Sequence, residues 1–435
     1  MRKAKGILLW TGLFLACQAT TFAADESEKR SLEWMRSQVV PNQLVSTPDP
    51  SRRGLILSYA PGLGRPGPLH RKSFVYDGAL AAIAFTMADD GETASRILSA
   101  LTRIQRPNGS FWFSYNVDNA WPAEADHDMA IVRSGANAWV GYALTFYLEN
   151  RPATDDRRSK RERDGFLASA RRIGDFLLTL RVSDKSVARG LLRGGHGAVR
   201  LGVTPDGKSV QEFYDDRPIR WVSSEHNISS YFFLNALGRL TADLRYSAAA
   251  RDIRQGLLSS LWQNDMGQFA QGIGEDGSVD RTRALDCASW GALFLFAAVE
   301  TEKAAQALRT TDSIYRSSYG KIEGHRPYHE KPIYDDARVQ RLLLPDAPAT
   351  RWKDLSFVWS EGTMGVALAH LRSGDAARAA KLTGEVAEMR EGGGIRYGTR
   401  EFPYEFSAFP SVAGTAWHVI VQKELRKQTK RFWAR

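Results

Sequence analysis

The feature that most restricts what this chain can fold into is a set of helices without a polar face. Gly78-Ala79-Leu80-Ala81-Ala82-Ile83-Ala84-Phe85, Gly135-Ala136-Asn137-Ala138-Trp139-Val140-Gly141, Trp290-Gly291-Ala292-Leu293-Phe294-Leu295-Phe296 and Gly365-Val366-Ala367-Leu368-Ala369 are apolar on nearly every side. A helix of that kind must be buried all round, and its small residues let neighbouring backbones approach closely. Amphipathic helices run between them. In 160–182, Phe166, Ala170, Ile173, Phe176 and Leu177 recur at three- and four-residue steps while Arg, Lys and Asp fill the remainder; 245–263 and 375–390 follow suit. These bury one stripe and wet the other.

The pattern predicts helices near 28–40, 74–89, 91–105, 131–149, 160–182, 226–241, 245–263, 284–299, 302–316, 357–372, 375–390 and 410–426. The buried ones begin near Phe74, Ile131, His226, Ala284, Phe357 and Pro410, at intervals of roughly 50–70 residues, a degenerate repeat. Amphipathic partners follow five of them in order, and 28–40 is left to sheathe the last. The expectation is an all-α (α/α)6 toroid, an inner ring of helices inside an outer one, built by a single domain over 24–435.

The first residues read as an export leader. Arg2, Lys3 and Lys5 precede an apolar run, Gly6 to Ala16, too short to span a bilayer comfortably. Thr21 and Ala23 supply the small residues of a cleavage site before Ala24, so 1–23 is expected to be removed, leaving an exported, periplasmic or secreted protein without stable membrane insertion. Lipidation at Cys17 is the weaker variant, since Phe14 stands where such sites carry Leu. Cleavage would leave Cys287 without a disulfide partner. The formal net charge of +10 falls to +7 without the three leader cations, a lean towards polyanionic partners. The cations form no stripe, however. Arg157 to Arg163 and Lys423 to Lys430 read as solvated faces, and no nucleic-acid partner is implied.

Aromatic and Gly-rich segments precede several buried helices: Asn108-Gly109-Ser110-Phe111-Trp112-Phe113, Gly267-Gln268-Phe269-Ala270 and Gly392-Gly393-Gly394-Ile395-Arg396-Tyr397. Such loops should gather on one end of the ring, where function usually sits. The buried helices hold their polar residues in their first turns: Tyr76-Asp77, Arg133-Ser134 with Asn137, Glu225-His226-Asn227, Asp286 and Glu361. Capping would account for one such acid. Asp77, Glu225, Asp286 and Glu361 at equivalent places, each with aromatic or amide company, point instead to a shared mouth. Glycoside hydrolysis needs two carboxyl groups flanking one bond; Asp77, Glu225 and Glu361 are the catalytic candidates. Tyr76, Trp112, Tyr115, Trp121, Trp139, Tyr231, Trp290, Trp359 and Trp417 are candidate sugar platforms. Arg133, Asn137, His226, Asn227 and Asp286 are candidate hydroxyl partners.

With Tyr76-Asp77-Gly78-Ala79-Leu80, Glu225-His226-Asn227, Glu361-Gly362-Thr363 and Ser411-Val412-Ala413-Gly414-Thr415-Ala416-Trp417 on this alternation, the chain resembles the six-hairpin glycosidase-like superfamily of exported bacterial proteins. The resemblance spans nearly all of 24–435. It implies a poly- or oligosaccharide substrate, a hydrolase that often inverts, and no cofactor. A polysaccharide lyase is the alternative, with His226 and Tyr231 abstracting a proton from an acidic glycan. A non-catalytic glycan binder working with polysaccharide assembly machinery is a third reading. Gln105 to Phe111 echoes a terpenoid-cyclase repeat, but no acidic run accompanies it; Asp215-Asp216 and Asp335-Asp336 are only pairs. No metal is implied either: His325 and His329 share a Pro-containing loop, and Asp126 with Asp128 has no further support.

Overall fold

Every helix expected from the periodicity is present in the computed structural model, which describes residues 26–60, 69, 71–119, 130–152, 156–426 and 431–433. The leader at 1–23 with Cys17, and Trp121, Asp126 and Asp128, lie outside the described residues. In chain order the helices are α1 (26–37), α2 (Val75–Met87), α3 (Gly91–Ile104), α4 (Ser134–Asn150), α5 (Arg157–Thr179), α6 (Ser224–Thr241), α7 (Leu244–Gly256), α8 (Leu285–Ala297), α9 (Thr301–Thr310), α10 (Ala337–Leu343), α11 (Ser360–Ser373), α12 (Ala376–Ala387) and α13 (Val412–Leu425). Among the described residues no helix is long and apolar enough to cross a membrane.

The apolar helices close a ring: α2 packs on α4, α4 on α6, α6 on α8, α8 on α11, α11 on α13, and α13 back on α2. Small residues set the approach. A Cβ added to Gly141 of α4 would sit 2.4 Å from the Phe233 ring of α6, so only glycine admits that ring. Each inner helix packs on the amphipathic helix that follows it, α3, α5, α7, α9 and α12 in turn. The N-terminal helix α1 covers the last, where Glu28 pairs with Lys423 at 2.6 Å and with Arg426 at 2.9 Å. Lys423 is therefore a buried ion-pair partner rather than part of a solvated face. Arg157, Arg158, Lys160 and Arg161 are exposed as expected. The architecture is the (α/α)6 toroid.

Two features depart from the all-helical expectation. A long hairpin, Arg193–Val203 paired antiparallel with Val210–Ser223, precedes α6 and forms two strands of a five-stranded sheet, the largest of several small sheets among the described residues. Short extended segments also lead into the inner helices, so those helices begin up to three residues away from where hydrophobicity alone places them. Phe74, Arg133, Ser223, Ala284, Trp359 and Ser411, the residues just before the six helices, are all extended.

The bore of the ring is filled from below by the chain's own end. Phe432 and Trp433 are buried. Trp433 stacks on Phe232 at 4.6 Å between ring centroids and lies 4.9 Å from Trp139, with Trp290 edge-on at 5.2 Å. Its backbone N–H donates to the Tyr142 hydroxyl at 2.8 Å. Arg372 holds the Phe432 carbonyl and forms a bidentate pair with Glu424. This aromatic stopper closes the floor of the toroid.

Candidate active site

A cavity of ≈ 1070 Å³ opens at the N-terminal ends of the inner helices, above that floor. Asp77 of α2, Glu225 of α6, Asp286 of α8 and Glu361 of α11 all line it. None of the four is a capping residue. Glu225, Asp286 and Glu361 are the second residues of their helices and Asp77 the third. Capping falls elsewhere: outer helices α3, α5, α7 and α12 begin at Asp90, Asp156, Asp243 and Asp375, whose side chains accept first-turn N–H groups. The inner acids instead face one another across the cavity.

Their electrostatics follow from that placement. Burial pushes Asp77 up to about 7 against a hydrogen bond from Ser58. Burial pushes Glu225 to about 7. Asp286 is driven well above the usual carboxylate range by burial and by the charges of Glu225 and Glu361. Glu361 rises to about 8 through burial, opposed by a hydrogen bond from Tyr76 and reinforced by Asp77 and Glu225. Like charges in one desolvated space cannot all ionise together. At neutral pH the cavity therefore holds protonated and ionised carboxyls side by side, the condition for acid–base work.

A hydrogen-bonded relay orders the Glu361 side. Trp417 Nε1 donates to the Tyr76 hydroxyl at 2.9 Å, and that hydroxyl donates to Glu361 Oε1. Tyr397 adds a second hydrogen bond to the same carboxyl. Trp139, Trp290 and Trp359 line the cavity, with Trp139 edge-on to Tyr76 at 5.1 Å. His226 lines it too, its Nδ1 3.1 Å from Ser134 Oγ and its basicity pushed down to about 3 by burial and by Arg133. Gly135 makes room for that imidazole, since a Cβ there would lie 2.6 Å from His226 Cδ2.

Of the residues singled out from sequence, the cavity gathers Tyr76, Asp77, Arg133, Trp139, Glu225, His226, Asp286, Trp290, Trp359 and Glu361. Trp417 stands behind Tyr76 as its hydrogen-bond donor. Five others are not cavity residues. Asn137 accepts the Phe111 N–H at 2.7 Å and donates to the Arg133 carbonyl at 2.8 Å. Asn227 does the same for Leu192 and Ser223, each at 2.8 Å. Both amides thus pin incoming loops to their helices. Tyr115 is buried beneath Arg52 and bonds the Ile104 carbonyl. Tyr231 packs on Phe294 and Phe232. Trp112 lies under the Arg106 guanidinium in a separate hollow of ≈ 650 Å³. The lyase pair is consequently divided, with His226 in the cavity and Tyr231 outside it. Among the described residues no group of His, Cys, Asp or Glu is arranged to hold a metal ion, and Gln105 bonds the Gly109 carbonyl within a turn.

Sequence reasoning did not find Tyr59, Tyr397, Tyr328 and Phe406, nor the further acids Glu212, Glu401 and Glu405, all on the cavity wall. Tyr397 ended one of the aromatic Gly-rich loops, which was the available signal. The others come from loops without periodicity.

By sequence, neither a family model nor a curated protein matches the chain. By structure the match is extensive. A glycosidase bound to glucose superposes with TM-score 0.59 at 11% identity, covering 93% of this chain and 97% of its own. A family 63 mannosylglycerate hydrolase from Thermus thermophilus gives 0.57 at 14% identity, covering 91% and 99%. A D-mannose isomerase gives 0.58 at 11% identity, covering 94% and 97%. The chain has the same helical toroid fold as these three structures. Since an isomerase shares it, the reaction must be argued from the site.

Proposed function

We propose that the protein is an exported glycoside hydrolase acting on a poly- or oligosaccharide. The observation that carries this reading is the convergence of four carboxyl groups, from four helices of one ring, on a single aromatic-walled cavity. In the proposed reaction Glu361, neutral at physiological pH and steadied by Tyr76 and Tyr397, protonates the glycosidic oxygen as its bond to the anomeric carbon breaks. Glu225 takes a proton from the water that attacks that carbon. Asp77 adds negative charge beside the oxocarbenium-like transition state. Trp139, Trp290 and Trp359 give the sugar an apolar wall.

A panel of glycans incubated with the mature protein, with product masses read out, tests this directly. Hydrolysis adds one water to each cleaved bond. Fragments without added water that absorb in the near ultraviolet would mean elimination, and an unchanged panel with measurable binding would mean a glycan-binding protein. Replacing Glu361 by Gln should lower kcat by about 10²–10⁴-fold, the usual contribution of a general acid.

A further inference from the structure

The long hairpin at 193–223 is rooted at α6 but does not end there. In the order of the ring, α6 stands three helices from α13 by either route, so the two face each other across the bore. Helices packed about 8–10 Å apart in a hexagon put opposite axes roughly 16–20 Å apart. The first strand of the hairpin has 11 residues, about 36 Å at roughly 3.3 Å per residue. It is long enough to cross the mouth, and it does. Near its tip the Val210 carbonyl lies 3.5 Å from the hydroxyl of Tyr404, in the loop that leads to α13. Glu212, two residues further on, lines the cavity.

The crossing is fastened along one flank. α10 packs on both strands of the hairpin, and Leu201, Val203 and Val210 are partly buried against the core. At the root, Val222 and Ser223 pair with Ile273 and Gly272 ahead of α8. Further along, Ala284 bridges to Tyr328, the Tyr334 hydroxyl donates to the Pro403 carbonyl at 2.9 Å, and Tyr404 returns to the hairpin tip. The chain itself joins these contacts, so they close a circuit on the α8 and α11 side of the mouth. Phe432 and Trp433 fill the floor. A glycan can enter this space but cannot leave by the far side.

Tyr404 differs from the rest of the circuit. Its backbone is left-handed, with φ 67°, a conformation that a bulky residue adopts only where its surroundings impose it, and one that gathers at functional sites. The surroundings are visible. Phe402 and Phe406 exchange backbone hydrogen bonds at 2.7 and 2.9 Å, and both rings pack on Trp352, at 5.3 and 5.1 Å. The turn held between them leaves Tyr404 on the cavity wall and 53% exposed.

We propose that the cavity takes a glycan by its chain end, that the hairpin blocks the path of a chain running through, and that Tyr404 stacks on the sugar at the rim. This rests on the saccharide reading of the cavity but not on cleavage. The volume agrees: ≈ 1070 Å³ is close to the upper end of the about 300–1,000 Å³ that encloses one compact ligand, a few sugars rather than a polymer.

Counting proteins per chain tests this. Linear glycans of the same panel, each size-fractionated into short and long members, are titrated calorimetrically with the mature protein. Capture by the end gives one protein per chain at every length, whereas capture along the chain gives a number that grows with length. The Tyr404→Gly protein should keep its unfolding midpoint, because glycine accepts the left-handed backbone, and should bind about tenfold more weakly for want of one stacked ring. Several proteins on each long chain, an affinity that Tyr404→Gly leaves unchanged or lowers only together with the unfolding midpoint, or no glycan bound at all overturns the proposal. Product masses from the same mixtures are scored separately. Release of one- or two-sugar products from the first time point supports end capture. Cleavage to a ladder of lengths removes this inference and leaves the hydrolase, whereas one protein per chain without cleavage leaves this inference and removes the hydrolase.

Discussion

Replacing Glu361 by Gln should make the protein more stable, and more so as pH rises. The carboxyl titrates near 8 in the fold, against 4.5 when free. Below 4.5 folded and unfolded chains both carry the proton and the substitution exchanges one neutral group for another. Between 4.5 and 8 the unfolded chain releases the proton while the folded chain keeps it, so wild-type stability falls with pH. At about 1.4 kcal/mol per pH unit, the wild type has lost about 3 kcal/mol by pH 7 and about 5 kcal/mol above pH 8. Relaxation and water entry reduce such figures, and about half is the expected yield. Gln escapes this loss because it never ionises, and its amide oxygen still accepts from Tyr76. Urea unfolding of both proteins at pH 5, 7 and 8.5 gives the difference at each pH. It should be near zero at pH 5, positive at pH 7 and largest at pH 8.5, while kcat falls by about 10²–10⁴-fold. A pH-independent difference, or a variant less stable throughout, would refute the claim that the fold holds Glu361 protonated.

Other consequences follow from the same geometry. The kcat/KM profile should be a bell, rising as Glu225 ionises near 7 and falling as Glu361 loses its proton near 8; a plateau extending below pH 5 would exclude Glu225 as the base. Trp433→Ala should cost about 3–5 kcal/mol in chemical unfolding, as truncating a buried aromatic does, and a loss under about 1 kcal/mol would mean the stopper is not packed in the bore. Asn137→Ala should cost about 1–3 kcal/mol by stranding the buried Phe111 N–H, with KM unaltered; a raised KM at unchanged stability would return Asn137 to the substrate.

The ring was legible because two periodicities alternate, and burial of a helix on every side leaves few architectures. What the first turns do was only half legible, for a geometric reason. Successive residues of a helix point about 100° apart, so side chains two positions apart point to nearly opposite sides. Glu225 and Asn227 are such a pair. With Glu225 turned into the bore, Asn227 must face the loop outside it. Asn137, Thr363 and Thr415 occupy the same fourth position and do the same work: Thr363 Oγ1 accepts the His325 N–H and Thr415 Oγ1 that of Ile395. Read as a set, those four residues are a structural repeat that composition alone mixes with the site. The 193–223 hairpin was illegible because Arg193-Gly194-Gly195-His196-Gly197 reads as loop. The aromatic stopper was illegible because three residues after a basic run carry no period at all.

The stopper also bears on the chemistry. A toroid of inner helices leaves an axial bore, and water entering from below would hydrate the carboxyls above and return them towards ordinary values. Here Phe432 and Trp433 join Trp139, Trp290 and Trp417 in one aromatic plate across that bore. The plate is apolar beneath the acids, which is why desolvation is the largest cause of the rise at Asp77, Glu225, Asp286 and Glu361 alike. It is also connected to them: Trp417, edge-on to both Phe432 and Trp433, donates to Tyr76, and Tyr76 donates to Glu361. Loosening Trp433 should therefore act on titration as well as on stability. In the Trp433→Ala protein the alkaline limb of the activity bell should move to lower pH as water reaches Glu361. An alkaline limb that stays in place while stability falls would separate the floor of the toroid from the proton donor above it.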